Sequence, residues 1–210
     1  MSGSPVTSFQ AFGSDLEDLD AVPANPYEIL NLWLARPEGT LPPLMTLSTL
    51  DLDGYPDSRH LLMSTYDGEC MTFHVDGRSR KVAQIENDPR VSLAVVWLDH
   101  GRQLVVQGEA HLVPAEDSAA VYAARTAYLQ QLAWVNDAAV AQLPLEERRA
   151  AWAAFAETHP EGTMTMPEHW AGFAVRPRRL TFWRGDPAGP SHRLDYLRGT
   201  DGWTVQKLPG

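Results

Sequence analysis

Met71-Thr72-Phe73-His74-Val75, then Asp76-Gly77-Arg78, then Ser79-Arg80-Lys81 is the stretch on which the fold turns. Its first part, rich in β-branched and aromatic residues, reads as the end of a strand over residues 70–75. Ser79 opens a short helix over residues 79–86, which Asn87-Asp88-Pro89 stops. A serine at a helix start can accept from free backbone N–H groups. Two cations beside that positive helix end make a socket for a phosphate. A strand running straight into a phosphate-ready helix places this chain among mixed α+β proteins that bind a phosphorylated ligand.

Working back from this stretch, Asp67-Gly68 and Asp53-Gly54 are hairpin turn signals that separate strands over residues 58–64 and 44–50. Upstream, Asn25 caps a helix that Pro26 begins. Tyr27, Ile29, Leu30, Trp33 and Leu34 give its apolar face, and Pro37 and Gly39 end it. Residues 1–24, rich in Ser, Gly, Pro and acids, read as a mobile arm, leaving residues 25–210 as one domain.

Working forward, residues 91–98 form a near-continuous apolar strand, as expected where both sheet faces are covered. Gly101 turns the chain into a long strand over residues 103–113. Residues 114–155 read as Ala-rich helix broken near Pro144, residues 160–167 as a loop, and 173–183 and 203–208 as further strands. The expected fold is therefore α+β: an antiparallel barrel of six to seven strands with flanking helices.

Composition narrows the function. A formal net charge of -10 opposes general nucleic-acid binding and makes any arginine cluster more informative. The single cysteine, Cys70, excludes an internal disulfide, and no metal site is expected. Residues 1–12 lack a signal-peptide pattern and no apolar run is long enough to span a bilayer, so a cytoplasmic location away from membranes is expected. Seven tryptophans either fill the core or line a flat aromatic pocket or an interface. Arg59 and Arg193 stand beside apolar strand residues, where an unpaired charge is costly. With Arg80 and Lys81 they read as parts of one anion site. Taken alone, the Arg80-Lys81 pair reads equally as a solvated helix face, and Arg59 as a partner of Asp57.

The order Arg59-His60-Leu61-Leu62, Ser79-Arg80-Lys81, Arg102-Gln103 in a strand ending Gly108-Glu109-Ala110, Phe182-Trp183-Arg184-Gly185, then Arg193 and Tyr196 resembles the pyridoxamine 5′-phosphate oxidase family. The likeness runs from Asn25 to the C-terminus. It implies an FMN-binding split barrel, a homodimer with FMN at the subunit interface, and a small-molecule substrate. It also implies that Arg59, Arg80 and Lys81 hold the flavin phosphate, with His60, Leu61 and Leu62 running beside the ring. His74 and Val75 would flank the flavin, and Gln103, Trp183 and Arg193 would complete the site, largely from the partner subunit.

The chain departs from the family's vitamin-B6 enzymes at the substrate end. Ser64 replaces a lysine; Arg125 matches a phosphate-gripping arginine, but Val121 and Leu129 replace its tyrosine and serine companions. Gly189-Pro190-Ser191 stands where those enzymes carry Arg-Leu-His, with His192-Arg193-Leu194 as a displaced mimic. Ser64, Arg125 and Leu129 are thus the candidate substrate contacts, in a pocket suited to a more apolar or differently charged substrate. Pro23-Ala24-Asn25-Pro26, Glu28 and Trp33-Leu34 resemble the entry helix of flavin oxidases of phenazine biosynthesis, so a flat aromatic substrate is expected, with Trp134, Tyr128 or His74 as walls. The leading expectation is an FMN-dependent oxidase passing a hydride to flavin N5, with oxygen as acceptor and no obligatory side-chain base; His74 or His192 could assist. The alternatives are a true pyridoxamine/pyridoxine 5′-phosphate oxidase, a deazaflavin-dependent reductase, a non-catalytic flavin-binding module, or a ligand-free structural barrel.

Overall fold

The computed structural model describes residues 22–35 and 43–210, so most of the expected arm and the stops at Pro37 and Gly39 lie outside the described residues. Helix α1, Pro26–Leu34, forms as its sequence dictates: Asn25 Oδ1 accepts from the Tyr27 N–H at 3.1 Å, and Pro26 fills the first turn. Its buried face sets Trp33 edge-on to Phe182, with ring centroids 5.2 Å apart.

Strands β1 (Leu44–Leu50), β2 (Pro56–Leu62), β3 (Thr65–Tyr66) and β4 (Met71–Asp76) precede helix α2 (Arg80–Asn87). Then come β5 (Arg90–Trp97) and β6 (Arg102–Leu112), helices α3 (Ala115–Ala123), α4 (Ala127–Val135), α5 (Ala138–Ala141) and α6 (Leu145–Thr158), and strands β7 (Trp170–Arg184), β8 (His192–Gly199) and β9 (Gly202–Pro209). Gly54 at φ 85° and Gly68 at φ 98° make the first two hairpin turns in the left-handed region. Seven strands run in the order β2-β1-β5-β6-β7-β4-β3, and β8 and β9 branch from the far half of β7; every pairing is antiparallel. Two adjacent residues draw the ends of that path together. The Met63 N–H donates to Pro43 O beside β1, and the Ser64 N–H donates to Thr72 O on β4. The sheet thus curls into the expected antiparallel split barrel.

Several expectations shift. The expected strand over 58–64 starts two residues earlier, because the Asp51 carboxylate closes the turn on the Asp53 and Tyr55 N–H groups and sets Leu50 opposite Pro56. The helical stretch is four helices: Thr126 caps α4, Asp137 caps α5, and Pro144 stands before α6. β5 is not covered on both faces by the described residues: Val91, Leu93 and Val95 are buried while Val96 is 53% exposed. The outward apolar residues of this strand therefore ask for cover that the described chain does not supply.

The core lies between α1 and the inward rows of the barrel, where Leu47, Leu93, Leu104, Val106, Leu180 and Tyr196 are fully buried.

Candidate functional site

Helix α2 packs its Val82 and Ile85 into the core, and this fixes what its first turn presents. Ser79 stands at the cap position but makes no side-chain cap; its Oγ instead accepts from Lys81 Nζ at 3.0 Å. The sequence reading of Ser79 as a capping side chain is corrected accordingly. The ammonium competes for the hydroxyl, leaving the first-turn N–H groups without that oxygen. Lys81 is half-buried. Burial first, then the Arg59 and Arg80 guanidiniums, push its pKa down.

Arg59 faces inward from β2, opposite Leu47. Its Nη1 donates to Thr49 Oγ1 at 2.7 Å and to Leu47 O at 3.4 Å; its Nη2 donates to Gln84 Oε1 at 2.8 Å and pairs with Asp57 Oδ2 at 2.7 Å. Four of the five guanidinium N–H bonds are thus engaged within the chain, and the Nε–H remains. Arg80, 79% exposed, also pairs with Asp57 Oδ2, at 2.8 Å. The pairing of Arg59 with Asp57 that the sequence allowed is therefore present. Gln84, 1% exposed, is the hub that sequence reasoning missed. It accepts from Thr49 and Arg59 and donates to Asp57 at 3.0 Å.

Beside this network a cleft of about 660 Å³ opens between the barrel and α4–α5. His60, Leu61, His74, Val75, Lys81, Arg125 and Leu129, all expected site residues, line it. Ser79 and Arg78 lie at the Lys81 end, and Arg78 is held by Asp76 at 2.7 Å. Leu129, Leu132, Ala133, Ala138 and Ala139 give the helical wall an apolar surface. Arg59, Leu62, Ser64 and Arg80 are not among the lining residues. Ser64 belongs instead to the barrel closure described above.

The aromatic wall is Trp170, a residue the sequence did not single out. His74 stacks on its indole at 4.3 Å, the Arg125 guanidinium lies over it at 5.1 Å, and Tyr122 meets it edge-on. Of the walls expected from sequence, only His74 lines the cleft. Tyr128 is 61% exposed against Trp152, and Trp134 donates its indole N–H to Thr165 O and Tyr122 Oη. His192 lies away from the cleft, 3.9 Å from Asp186. Among the described residues Arg125 makes no ion pair, and its buried Nε has no hydrogen-bond partner. A half-buried guanidinium in that state favours an anionic ligand group in the cleft.

His74 is 8% exposed, and neither ring nitrogen has a protein partner. Burial first, then the Arg125 charge, lowers its pKa from 6.5 to about 4. An unfolded chain takes up this proton as pH falls through 6.5, whereas the folded chain resists it down to about 4. The stability owed to neutral His74 is therefore complete above 6.5 and lost progressively on acidification towards 4. His74→Phe is expected to lose less stability than the wild type between pH 7.5 and 4.5 (urea midpoints at both values), and equal losses would contradict this.

Gln103, Trp183 and Arg193 do not join this cleft. They form one cross-strand row on the outer face of the sheet: Gln103 pairs with Trp183, and Trp183 with Arg193. The row continues to the exposed Val96 on one side and Leu208 on the other. Gln103 and Trp183 line a separate small hollow with Val96, Trp97 and Leu98.

The profile of the pyridoxamine 5′-phosphate oxidase family matches residues 37–163 of the chain. The chain belongs to the pyridoxamine 5′-phosphate oxidase family. This is a family of flavin-binding oxidoreductases. A pyridoxine/pyridoxamine 5′-phosphate oxidase of Streptomyces avermitilis is 32% identical over 204 residues, 92% of this chain and 91% of that one. The enzyme of that name from Caulobacter vibrioides is 30% identical over 190 residues, covering 88% and 84%. Among solved structures, PhzG from Burkholderia lata, in complex with tetrahydrophenazine-1-carboxylic acid, superposes with a TM-score of 0.79 at 21% identity, covering 93% of this chain and 98% of that one. A related FMN-binding protein from Nostoc punctiforme gives 0.64 at 18% identity, covering 80% and 88%.

Proposed function

We propose that this oxidoreductase binds FMN and oxidises a small, planar, largely apolar substrate carrying one anionic group, with oxygen as acceptor. The observation that carries this reading is the polarity of the cleft. Lys81 and Ser79 stand at the α2 end, an apolar wall runs along α4–α5, and Arg125 lies over Trp170 without an ion pair. FMN fits the α2 end. The Lys81 ammonium has a single hydroxyl partner there, so two N–H bonds remain for phosphate oxygens. Arg80 would reach the same phosphate by leaving Asp57, a surface pair that costs little to break. Arg59 would contribute its remaining Nε–H and hold the strand in place. His60, Leu61, Leu62, His74 and Val75 would border the ring. When bound, the flavin supplies the hydride-accepting chemistry; these residues supply tether, orientation and exclusion of water.

Gln103, Trp183 and Arg193 would serve the flavin of a second copy. Their row lies outside this chain's own cleft, on the face that leaves Val96 and Leu208 exposed. Homodimerisation would cover that face and bring the row to the partner's cleft. No helix among the described residues is long and apolar enough to cross a membrane.

Substrate contact would fall to Arg125, with Leu129 and Trp170 as the surface against which a flat ring packs. PhzG was solved with a tricyclic carboxylic acid, a ligand of this class. A second reading, a true pyridoxine/pyridoxamine 5′-phosphate oxidase, is favoured by the names of the relatives and by Arg125 itself, which suits a phosphate equally. Against it stands Leu129 in the cleft wall, an apolar side chain where the vitamin-B6 enzymes carry a polar grip worth about 1–3 kcal/mol.

The experiment is a visible spectrum of the purified protein with mass identification of the released chromophore. It continues with anaerobic reduction by reduced tricyclic carboxylates and by pyridoxine 5′-phosphate. Flavin bleaching by the former and not the latter is expected; the reverse establishes the second reading. Lys81→Ala should weaken FMN by about tenfold or more while leaving riboflavin nearly unaffected, since it removes one charge-assisted bond. Fluorescence titration of both flavins checks this, and unchanged FMN affinity removes Lys81 from the phosphate site.

A further inference from the structure

Asp57 occupies the position where an anion's oxygen would be expected. Its Oδ2 lies 2.7 Å from Arg59 Nη2, 2.8 Å from Arg80 Nη2 and 3.0 Å from Gln84 Nε2. Three N–H donors around one oxygen is the arrangement a phosphate oxygen calls for. Arg59 does not depend on this carboxylate for its position. Thr49 Oγ1, Leu47 O and Gln84 Oε1 already hold both terminal nitrogens. Arg80, 79% exposed, gains little from an exposed pair. Gln84 keeps its bonds to Thr49 and Arg59 whether or not Asp57 is charged. The negative charge is therefore dispensable for the local scaffold, and its main electrostatic effect falls on any anion approaching the two guanidiniums.

We propose that Asp57 is an internal counter-anion of the phosphate seat, which a phosphate monoester must displace from Arg80, so that this chain holds a phosphorylated flavin loosely enough to exchange it. The inference rests on the proposed reading of the cleft as a flavin-phosphate site. It assigns to Asp57 a role in selecting between flavins with and without the phosphate. Wild-type protein discriminates weakly between FMN and riboflavin, because the charge gained by binding the phosphate is offset by the carboxylate it displaces.

The test uses Asp57→Asn in the full chain. The variant keeps the shape and an oxygen that accepts from Gln84, and loses only the charge. FMN and riboflavin are titrated separately by flavin fluorescence at low salt. The expected result is an FMN dissociation constant lowered by about tenfold or more, with riboflavin within about twofold. Adding Arg80→Ala to the variant should abolish most of that gain. FMN affinity that is unchanged or weaker in Asp57→Asn overturns the inference, since Asp57 would then be orienting the guanidiniums for the ligand. A parallel shift for both flavins overturns it too, because the effect would lie in the ring pocket. Asp57→Ser provides the same comparison should Asn disturb folding; if neither variant folds, the charge has a structural task and the inference fails. Wild-type protein that binds neither flavin overturns the reading of the cleft itself, a result distinct from flavin binding that ignores the substitution.

Discussion

Gly108→Ala is expected to cost at least about 3 kcal/mol, lowering the thermal midpoint by about 6–12 °C for a chain of this size, or to prevent soluble expression altogether. Gly108 sits at the register shift of β6, where Gln107 and Gly108 pair out of step with β7. A Cβ built there would lie 2.1 Å from the Arg176 carbonyl oxygen and 2.9 Å from its carbonyl carbon. Both are backbone atoms of the neighbouring strand, so no side-chain rotation relieves the contact. β6–β7 is the longest pairing in the barrel and carries Gln103 and Trp183 at its far end, so a displaced bulge would shift the row proposed to serve a second copy's flavin. Thermal melts of wild type and variant, with the far-UV spectrum recorded at 20 °C, decide it. A midpoint within about 2 °C of wild type would mean that the strands separate at the bulge without loss. Gly172→Ala makes an instructive comparison. Its Cβ meets side-chain atoms, His74 Nε2 at 2.6 Å and Ser118 Oγ at 2.9 Å, so the strain would fall on the cleft wall more than on the sheet.

The barrel was legible where local chemistry decides conformation. Asp53-Gly54 and Asp67-Gly68 mark turns because glycine takes positive φ there and a nearby aspartate, Asp51 in the first turn and Asp67 in the second, accepts from turn N–H groups. The alternation in 44–50 needs only one buried face, and the structure returns that strand unchanged. β8 was not legible. Pro190 and the charged Arg193, Asp195 and Arg198 obscure an inward Leu194 and Tyr196, and the strand exists because β7 offers its free half as a template. β5 misled in a more useful way. Its continuous apolar run implied cover on both faces, but the described chain covers only one of them.

The site divides along the same line. His60, Leu61, His74, Val75, Lys81, Arg125 and Leu129 reach one cleft from β2, β4, α2, α4 and the α3–α4 turn. Gln103, Trp183 and Arg193 fall into register with one another because antiparallel pairing places them on one row, although no spacing in sequence announces it. Trp170 was invisible because its importance comes from what stacks on it, His74 from β4 and Arg125 from the turn before α4. Gln84 was invisible for a similar reason. On a short amphipathic helix a glutamine beside Val82 and Ile85 reads as solvent-facing. It is buried by Thr49 and Asp57, 35 and 27 residues away in sequence, and satisfied only by them and Arg59.

That makes Gln84 the position where substitution should affect fold and site together. Gln84→Met matches length and volume but offers neither an acceptor nor a donor. Thr49, 3% exposed, would lose the acceptor of its hydroxyl. Arg59 Nη2 would keep only Asp57, and Asp57 would lose its neutral donor. Leaving one buried hydroxyl and part of one buried guanidinium unsatisfied costs about 2–4 kcal/mol, which places the thermal midpoint about 4–16 °C below wild type. The functional consequence is separable from the thermal one. With Gln84 gone, Arg59 loses an acceptor that fixes its Nη2, so the guanidinium proposed to offer its Nε–H to the flavin phosphate is no longer held in position. FMN affinity measured well below the melting transition should therefore fall, while riboflavin affinity should change less. Equal loss for both flavins would place the damage in the fold alone, and a midpoint within about 2 °C of wild type would show that water can replace the amide at a position only 1% exposed.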